Sequence, residues 1–191
     1  MSQEITYGEF GRRLFETVLH ERRIEDAIAT VLGDRITLGP IGAGPGRVLA
    51  KVTVDGTIGR PVASALPGDF VAFEVRLPVA VDFDLDIAVD VHRFHADVVV
   101  PLRLTARAAT PLTIVCDIAV PAEDELEIDV RVDRRSTEML RRVAGIDAEL
   151  RRFVLRYLTR ELDKEHVRRA TRIPLDEVID AAWPSISAQF L

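Results

Sequence analysis

Val71-Ala72-Phe73-Glu74-Val75-Arg76-Leu77-Pro78-Val79-Ala80-Val81-Asp82-Phe83-Asp84-Leu85-Asp86-Ile87-Ala88-Val89-Asp90-Val91 is apolar at every odd-numbered position. The even positions carry Glu74, Arg76, Asp82, Asp84, Asp86 and Asp90, and His92 follows. A period of two with one apolar and one charged face marks a half-buried β-strand. At about 3.3 Å per residue the run would extend roughly 70 Å. A compact chain of 191 residues has a radius of gyration of only about 16 Å. Either the strand bends or the molecule is elongated. Both outcomes need a large, curved, one-sided antiparallel sheet whose apolar face is covered by helices, a second sheet or a ligand.

After Val91 the apolar register moves to the even positions Phe94, Ala96, Val98, Val100, Leu102, Leu104 and Ala106. An uninterrupted strand through Ala108 would reach roughly 125 Å, so a hairpin turn or strong bulge is expected near His92-Arg93-Phe94-His95. A turn centred on Arg93-Phe94 would place Asp84 opposite Arg103. Upstream, Val48, Ala50, Val52, Val54 and Ile58 alternate with Lys51, Thr53, Asp55 and Thr57, a first long strand, and Gly59, Pro61, Pro67 and Gly68 mark turns. Downstream, Leu112 to Val120 and Leu126 to Val132 read as strands parted by Pro121-Ala122-Glu123-Asp124-Glu125. Short links between consecutive strands imply an antiparallel meander of about four or five strands.

The sheet is flanked by helical periodicity. Between Glu4 and Gly33, the residues Phe10, Leu14, Phe15, Val18, Leu19, Ile24, Ile28 and Leu32 recur at spacings of three and four, one amphipathic helix ended by Gly33. The run Gly39-Pro40-Ile41-Gly42-Ala43-Gly44-Pro45-Gly46 lacks the phosphate-loop signature, its prolines remove amide donors, and a strand follows it; it reads as a connecting loop. From Thr137 toward Arg169 the stripe Met139, Val143, Ile146, Leu150, Phe153 and Tyr157, broadened by Val154, Leu158 and Leu162, predicts a long helix with a break at Gly145. A short helix from Leu175 to Trp183, opened by Ile173-Pro174, closes the chain. The expected class is α+β. A long, strongly twisted antiparallel β-meander wraps against an N-terminal and a long C-terminal amphipathic helix. All of this forms one domain, with helix over about 4–33, sheet over about 46–133 and helices over about 136–184.

A content of 48% apolar and 29% charged residues suits one buried core and excludes disorder. No leader-like apolar run opens the chain and no stretch of about 18 uncharged apolar residues occurs, so a soluble, cytoplasmic protein is expected. Cys116 is the sole cysteine. It shares a strand face with Leu112, Ile114, Ile118 and Val120, which reads as a buried, inert thiol. The net charge of −6 is unevenly spread. Between Arg134 and Arg172, 12 Lys and Arg stand against 6 Asp and Glu, a balance of +6; residues 1–133 carry −9 and the tail −3.

Chemistry-bearing patterns are weak. Asp82, Asp84, Asp86 and Asp90 share one strand face, where carboxylates point outward in a row instead of converging on a cation or a substrate. His92 and His95 fall on opposite faces of a strand and have no third ligand, so no metal site is expected. His20 and His166 read as surface groups, and no serine sits in a Gly-x-Ser-x-Gly context. No enzymatic activity and no cofactor are expected. The pairs Arg134-Arg135, Arg141-Arg142, Arg151-Arg152 and Arg168-Arg169, with Arg156 and Arg160, are the strongest local signal. They read as a solvated helix face engaged in ion pairs or, more sharply, as a peripheral contact with an anionic membrane. Nucleic acid is not expected, because the chain is acidic overall and no aromatic residues interleave the arginines.

The order helix, long antiparallel strands, long helix, running from Tyr7 to Trp183, resembles one half of a tubular lipid-binding (TULIP) protein of the synaptotagmin-like lipid-transfer type. The resemblance is one of pattern and brings no motif residue with it. It implies a twisted sheet around a long helix, with an apolar groove for acyl chains and non-covalent binding of a lipid or other hydrophobic small molecule. In this chain the groove would be lined by Phe73, Val75, Leu77, Val81, Phe83, Leu85 and Ile87 with Leu150, Phe153, Val154 and Tyr157, and arginines at its mouth would meet an anionic headgroup. The alternative is a structural or regulatory accessory that homodimerises or binds a protein partner through its apolar sheet or helix face. A helix-grip pocket of the polyketide-cyclase or START type shares the long C-terminal helix. Against it, no strand precedes the first helix and no helix pair separates the first strands.

Overall fold

The structure, a computed structural model, describes residues 4–43, 50–87, 90–132 and 137–188. Helices α1 (Tyr7–Val18) and α2 (Glu21–Leu32) lead into strands β1 (Arg35–Ala43), β2 (Ala50–Ile58), β3 (Val62–Leu66), β4 (Ala72–Ile87), β5 (Asp90–Ala109), β6 (Thr113–Ala119) and β7 (Glu127–Val132). Helices α3 (Thr137–Leu162) and α4 (Glu165–Ala170), strand β8 (Arg172–Pro174) and helix α5 (Leu175–Ser187) complete the chain. The fold is α+β, built on one strongly curled, eight-stranded antiparallel sheet.

At its centre lies the β4–β5 hairpin, 16 residues against 20. Ile87 pairs with Asp90, Asp84 with Arg93 and Asp82 with His95. The expected turn at Arg93-Phe94 is therefore corrected: the strands meet at the Ile87–Asp90 pair, residues 88–89 lie outside the described residues, and Arg103 stands opposite Glu74. The register gives the physical reason. Odd residues of β4 face even residues of β5, which accounts for the switch in apolar parity. The earlier turn also lets each returning base meet an acid: Arg93 Nε donates to Asp84 Oδ1 at 3.0 Å, and His95 Nδ1 lies 2.9 Å from Asp82 Oδ1. Arg76 with Glu127 (2.7 Å) and Arg131 with Asp97 (2.6 Å) continue this outer face, so Asp82 and Asp84 point outward as expected but are matched by bases on the next strand. The side chains of Asp86, Asp90 and His92 lie outside the described residues.

The sheet is not a simple meander. Strand order is β1-β2-β4-β5-β6-β8, with β3 beside β2 on the same flank of β4 and β7 beside β6 on the same flank of β5. Two prolines sit at the junctions. Gly59 N–H donates to the Pro78 carbonyl at 2.8 Å, so the ring nitrogen of Pro78 also faces this flank, in the gap between the Ile58–Val79 and Val62–Arg76 pairs. Pro101 faces the opposite flank, between the Val99–Glu127 and Arg103–Ala119 pairs. Neither proline removes a ladder bond, which is why both are tolerated in central strands.

Several expected boundaries move. Residues 35–43 form β1, with a bulge between Leu38 and Ile41 that absorbs Gly39 and Pro40, so half of the expected loop is strand; residues 44–49 lie outside the described residues. Val62–Leu66, expected as turn, is β3. Its outward N–H groups at Ala63 and Ala65 donate to Glu25 Oε1 (3.1 Å) and Glu21 Oε1 (3.0 Å), so α2 covers this edge. The first helix is two helices. Thr6 and Glu9 close a capping box at the start of α1, Leu19 turns inward in extended conformation and is buried, and Arg23 Nη1 donates to the Thr17 and Val18 carbonyls that α1 leaves open. Gly33, at φ 71°, ends α2 as expected. The long C-terminal helix runs through Gly145 and stops at Leu162, and Lys164, with ψ 141°, starts α4 instead. Ile173-Pro174, read as helix entry, belong with Arg172 to β8, which pairs with β6, and α5 extends past Trp183 to Ser187.

One apolar core results. Odd residues of β4 (Phe73, Val75, Leu77, Val79, Val81) and even residues of β5 (Phe94 through Ala106) are buried, and Leu19, Ile24, Leu150, Leu158 and Leu175 of the helices join them. At about 25 cal/mol per Å² this one-sided burial is the main stabilising term of the fold.

Candidate functional site

Between the inner face of the sheet and α3 lies a crevice of about 50 Å³. Its floor is Val54, Ile58, Leu77, Val79, Val81, Val98 and Val100. One bank is α3, through Phe153, Val154, Tyr157, Leu158 and Glu161; the other is Leu32 at the end of α2 and Ile36 on β1. The floor is buried, whereas Leu32, Ile36, Phe153, Val154 and Tyr157 are each half-buried, so the apolar banks stay partly open above a closed floor.

Of the residues expected to line a groove, Leu77, Val81, Phe153, Val154 and Tyr157 come together here. Phe73, Val75 and Leu150 are buried in the core without lining the crevice. The side chains of Phe83, Leu85 and Ile87 lie outside the described residues; their backbone belongs to β4. Sequence reasoning missed the rest of the lining: Val54, Gly56, Ile58, Val79 and Leu158, which lie on elements it had placed, and Leu32, Ile36, Val98, Val100 and Glu161. The even-numbered apolar face of β5 was signal enough for Val98 and Val100. Glu161 follows Tyr157 by four positions and so shares its helix face.

The polar atoms on the α3 bank are tied to one another. The Glu161 carboxylate, only 13% exposed, meets Lys164 Nζ at 2.7 Å. Burial first, then the charge and hydrogen bonding of Glu161, push the Tyr157 hydroxyl up to about 12. Tyr157 thus stays protonated across the physiological range and donates, and Glu161 is neutralised by a salt bridge. The space left to a ligand is apolar.

The arginine-rich segment divides by helix face. Arg151 Nη1 donates to the carbonyls of Glu123 (2.9 Å) and Leu126 (2.6 Å), and Arg152 lies 3.9 Å from Glu123, which fastens α3 to the 3-10 turn at Glu123–Glu125 before β7. Arg169 pairs with Glu165. Arg156 and Arg160 are exposed, and at 100° per residue they fall about 60° and 20° from Phe153, along one edge of the α3 face that lines the crevice. Arg134 and Arg135, and the side chains of Arg141 and Arg142, lie outside the described residues.

No family model, curated protein or solved structure matches this chain. What the crevice can do follows from its lining alone. Cys116, half-buried on the inner register opposite Ala106, has its thiol pushed up by burial and then by Asp117, so it is poorly nucleophilic. His95 sits between Asp82 and Asp97 (3.4 Å) on the outer face, away from the crevice. His20 and His166 are exposed. Among the described residues, no group of three His, Cys, Asp or Glu side chains is arranged to hold a metal ion, and no helix is long and apolar enough to cross a membrane.

Proposed function

We propose that the protein binds and carries a lipid or another hydrophobic ligand in the crevice between the sheet and α3, without covalent chemistry. The observation that carries this reading is the pair of half-buried apolar banks, Leu32 and Ile36 against Phe153 and Val154, above a fully apolar floor. Burying them under an alkyl chain gains about 25 cal/mol per Å². The crevice, at about 50 Å³, is far below the ~150 Å³ of an apolar cavity that takes up benzene. A chain therefore enters as α3 parts from α2 and β1. Leu32, Ile36, Phe153 and Val154 have no side-chain hydrogen bonds to break, and the polar anchor of α3, Arg151, bonds the carbonyls of Glu123 and Leu126. Arg156 and Arg160, at the rim, suit an anionic headgroup or the surface of an anionic membrane. Membership of the tubular lipid-binding group belongs to the same proposal.

Native mass spectrometry of protein purified without detergent, followed by organic extraction, tests it. A stoichiometric phospholipid or fatty acid is the expected result. A ligand-free protein that also takes up no acyl chain from vesicles overturns it.

A further inference from the structure

Helix α5 buries one residue of its own, Leu175, and is attached there: Leu175 N–H donates to the Leu112 carbonyl at 2.8 Å, next to the β8–β6 pairing. Beyond that anchor, Val178, Ile179, Trp183 and Ile186 follow at helical spacing, a continuous apolar stripe along the helix. The stripe lies open, with Trp183 59% and Val178 55% exposed, and Leu112 at its foot is 46% exposed. A run of large apolar side chains on one helix face marks an interaction surface.

The charges around the stripe identify its occupant. Glu177 and Asp180, both exposed, flank it, and no Lys or Arg occurs from Ile173 to Leu191. Two exposed carboxylates beside the apolar face oppose an anionic membrane. Just before α5, Arg168 and Arg172 are exposed and form no ion pair among the described residues. Each chain thus presents, within one short segment, an apolar stripe, an acidic flank and a basic flank. A two-fold axis pairs such a patch with itself, because each contact between positions i and j is made twice. We propose that α5, with α4 and β8, is the docking face for a second copy of this chain. Trp183 is buried at its centre, and the carboxylates of each α5 face Arg168 and Arg172 of the other copy.

Trp183 is the sole tryptophan, so its emission reports on this face alone. Light scattering and fluorescence over a dilution series should show a dimer with blue-shifted emission that becomes a red-shifted monomer on dilution. Ile179→Asp should give the monomer at all concentrations with unchanged circular dichroism. Two charge-reversed chains add an independent readout: Arg168→Glu with Arg172→Glu, and Glu177→Arg with Asp180→Arg. Each alone places like charges across the axis and should weaken the dimer by roughly tenfold or more. Mixing the two restores both sets of pairs and the dimer with them. A monomer at every concentration, a dimer indifferent to Ile179→Asp, a mixture no tighter than its components, or a Trp183 blue shift seen only with vesicles would each overturn the proposal.

Discussion

His95 lies directly opposite Asp82 in the β4–β5 ladder, with Nδ1 2.9 Å from Oδ1, and its Nε2 is 3.4 Å from Asp97. The hydrogen bond to Asp82 and the charges of both carboxylates outweigh a small desolvation penalty and raise the imidazole above its ordinary value. A group whose folded value is raised contributes stability that is complete below its unfolded value of about 6.5 and lost as pH rises through the folded value. Replacing His95 with Gln should therefore cost more at about pH 5 than at about pH 8.5. The difference should stay below about 1 kcal/mol, as befits an exposed pair. Urea denaturation of both proteins at the two pH values checks this, and equal costs would sink it.

Gly59 approaches Pro78 so closely that an added Cβ would lie 3.0 Å from Pro78 Cγ. That approach lets the link between β2 and β3 hug the proline instead of bulging away from β4. Gly59→Val should destabilise by about 1–3 kcal/mol through overpacking. Pro78→Ala should be tolerated within about 1 kcal/mol, because the amide it restores faces a junction instead of a ladder partner. If Pro78→Ala proved as costly as Gly59→Val, this account of the junction would be wrong.

The hairpin shows how far sequence reading reached and where it stopped. Apolar parity demanded a reversal with an even-numbered loop, and both the expected turn and the observed one satisfy that parity. In the sequence, Val89 and Val91 prolong the alternation beyond Ile87, the last paired residue of β4, and hide where the strand ends. The pairs that decide the register, Asp82 with His95 and Asp84 with Arg93, exist only once the strands are aligned. Strands β3 and β8, of five and three residues, are bounded by or contain prolines and are too short for periodicity to register. The crevice was half legible for a related reason. The floor on β4 and the α3 bank follow from period, whereas the opposite bank, Leu32 and Ile36, is placed there by the path of α2 and β1 across the sheet.

Leu158 is 5% exposed and joins α3 to the crevice floor. Leu158→Ala should cost about 2–5 kcal/mol, the range for a buried leucine that leaves a cavity. Arg160→Ala, two residues on and about 200° around the helix on its exposed side, should remain within about 0.5 kcal/mol. Denaturant midpoints for the two variants provide the comparison. Equal, small effects would mean that α3 is not held by its apolar face.

Ligand uptake and membrane contact should separate by mutation, because they draw on adjacent faces of α3. Val154 forms part of a bank with only apolar surface around it, so Val154→Glu puts a carboxylate where the alkyl chain would lie, at a cost of several kcal/mol to any chain seated there. The variant can still fold, since Val154 is half-buried and a glutamate there can swing toward solvent. It should copurify without lipid while keeping its circular dichroism. Arg156→Glu with Arg160→Glu leaves the lining intact and reverses the rim. That variant should retain bound lipid and lose affinity for anionic vesicles, and in the unmodified protein the same vesicle affinity should fall with added salt, as the Debye length shrinks from about 10 Å at 0.1 M toward about 3 Å at 1 M. Loss of lipid from the rim variant, or its retention by Val154→Glu in folded protein, would place the ligand elsewhere than between α3 and the sheet.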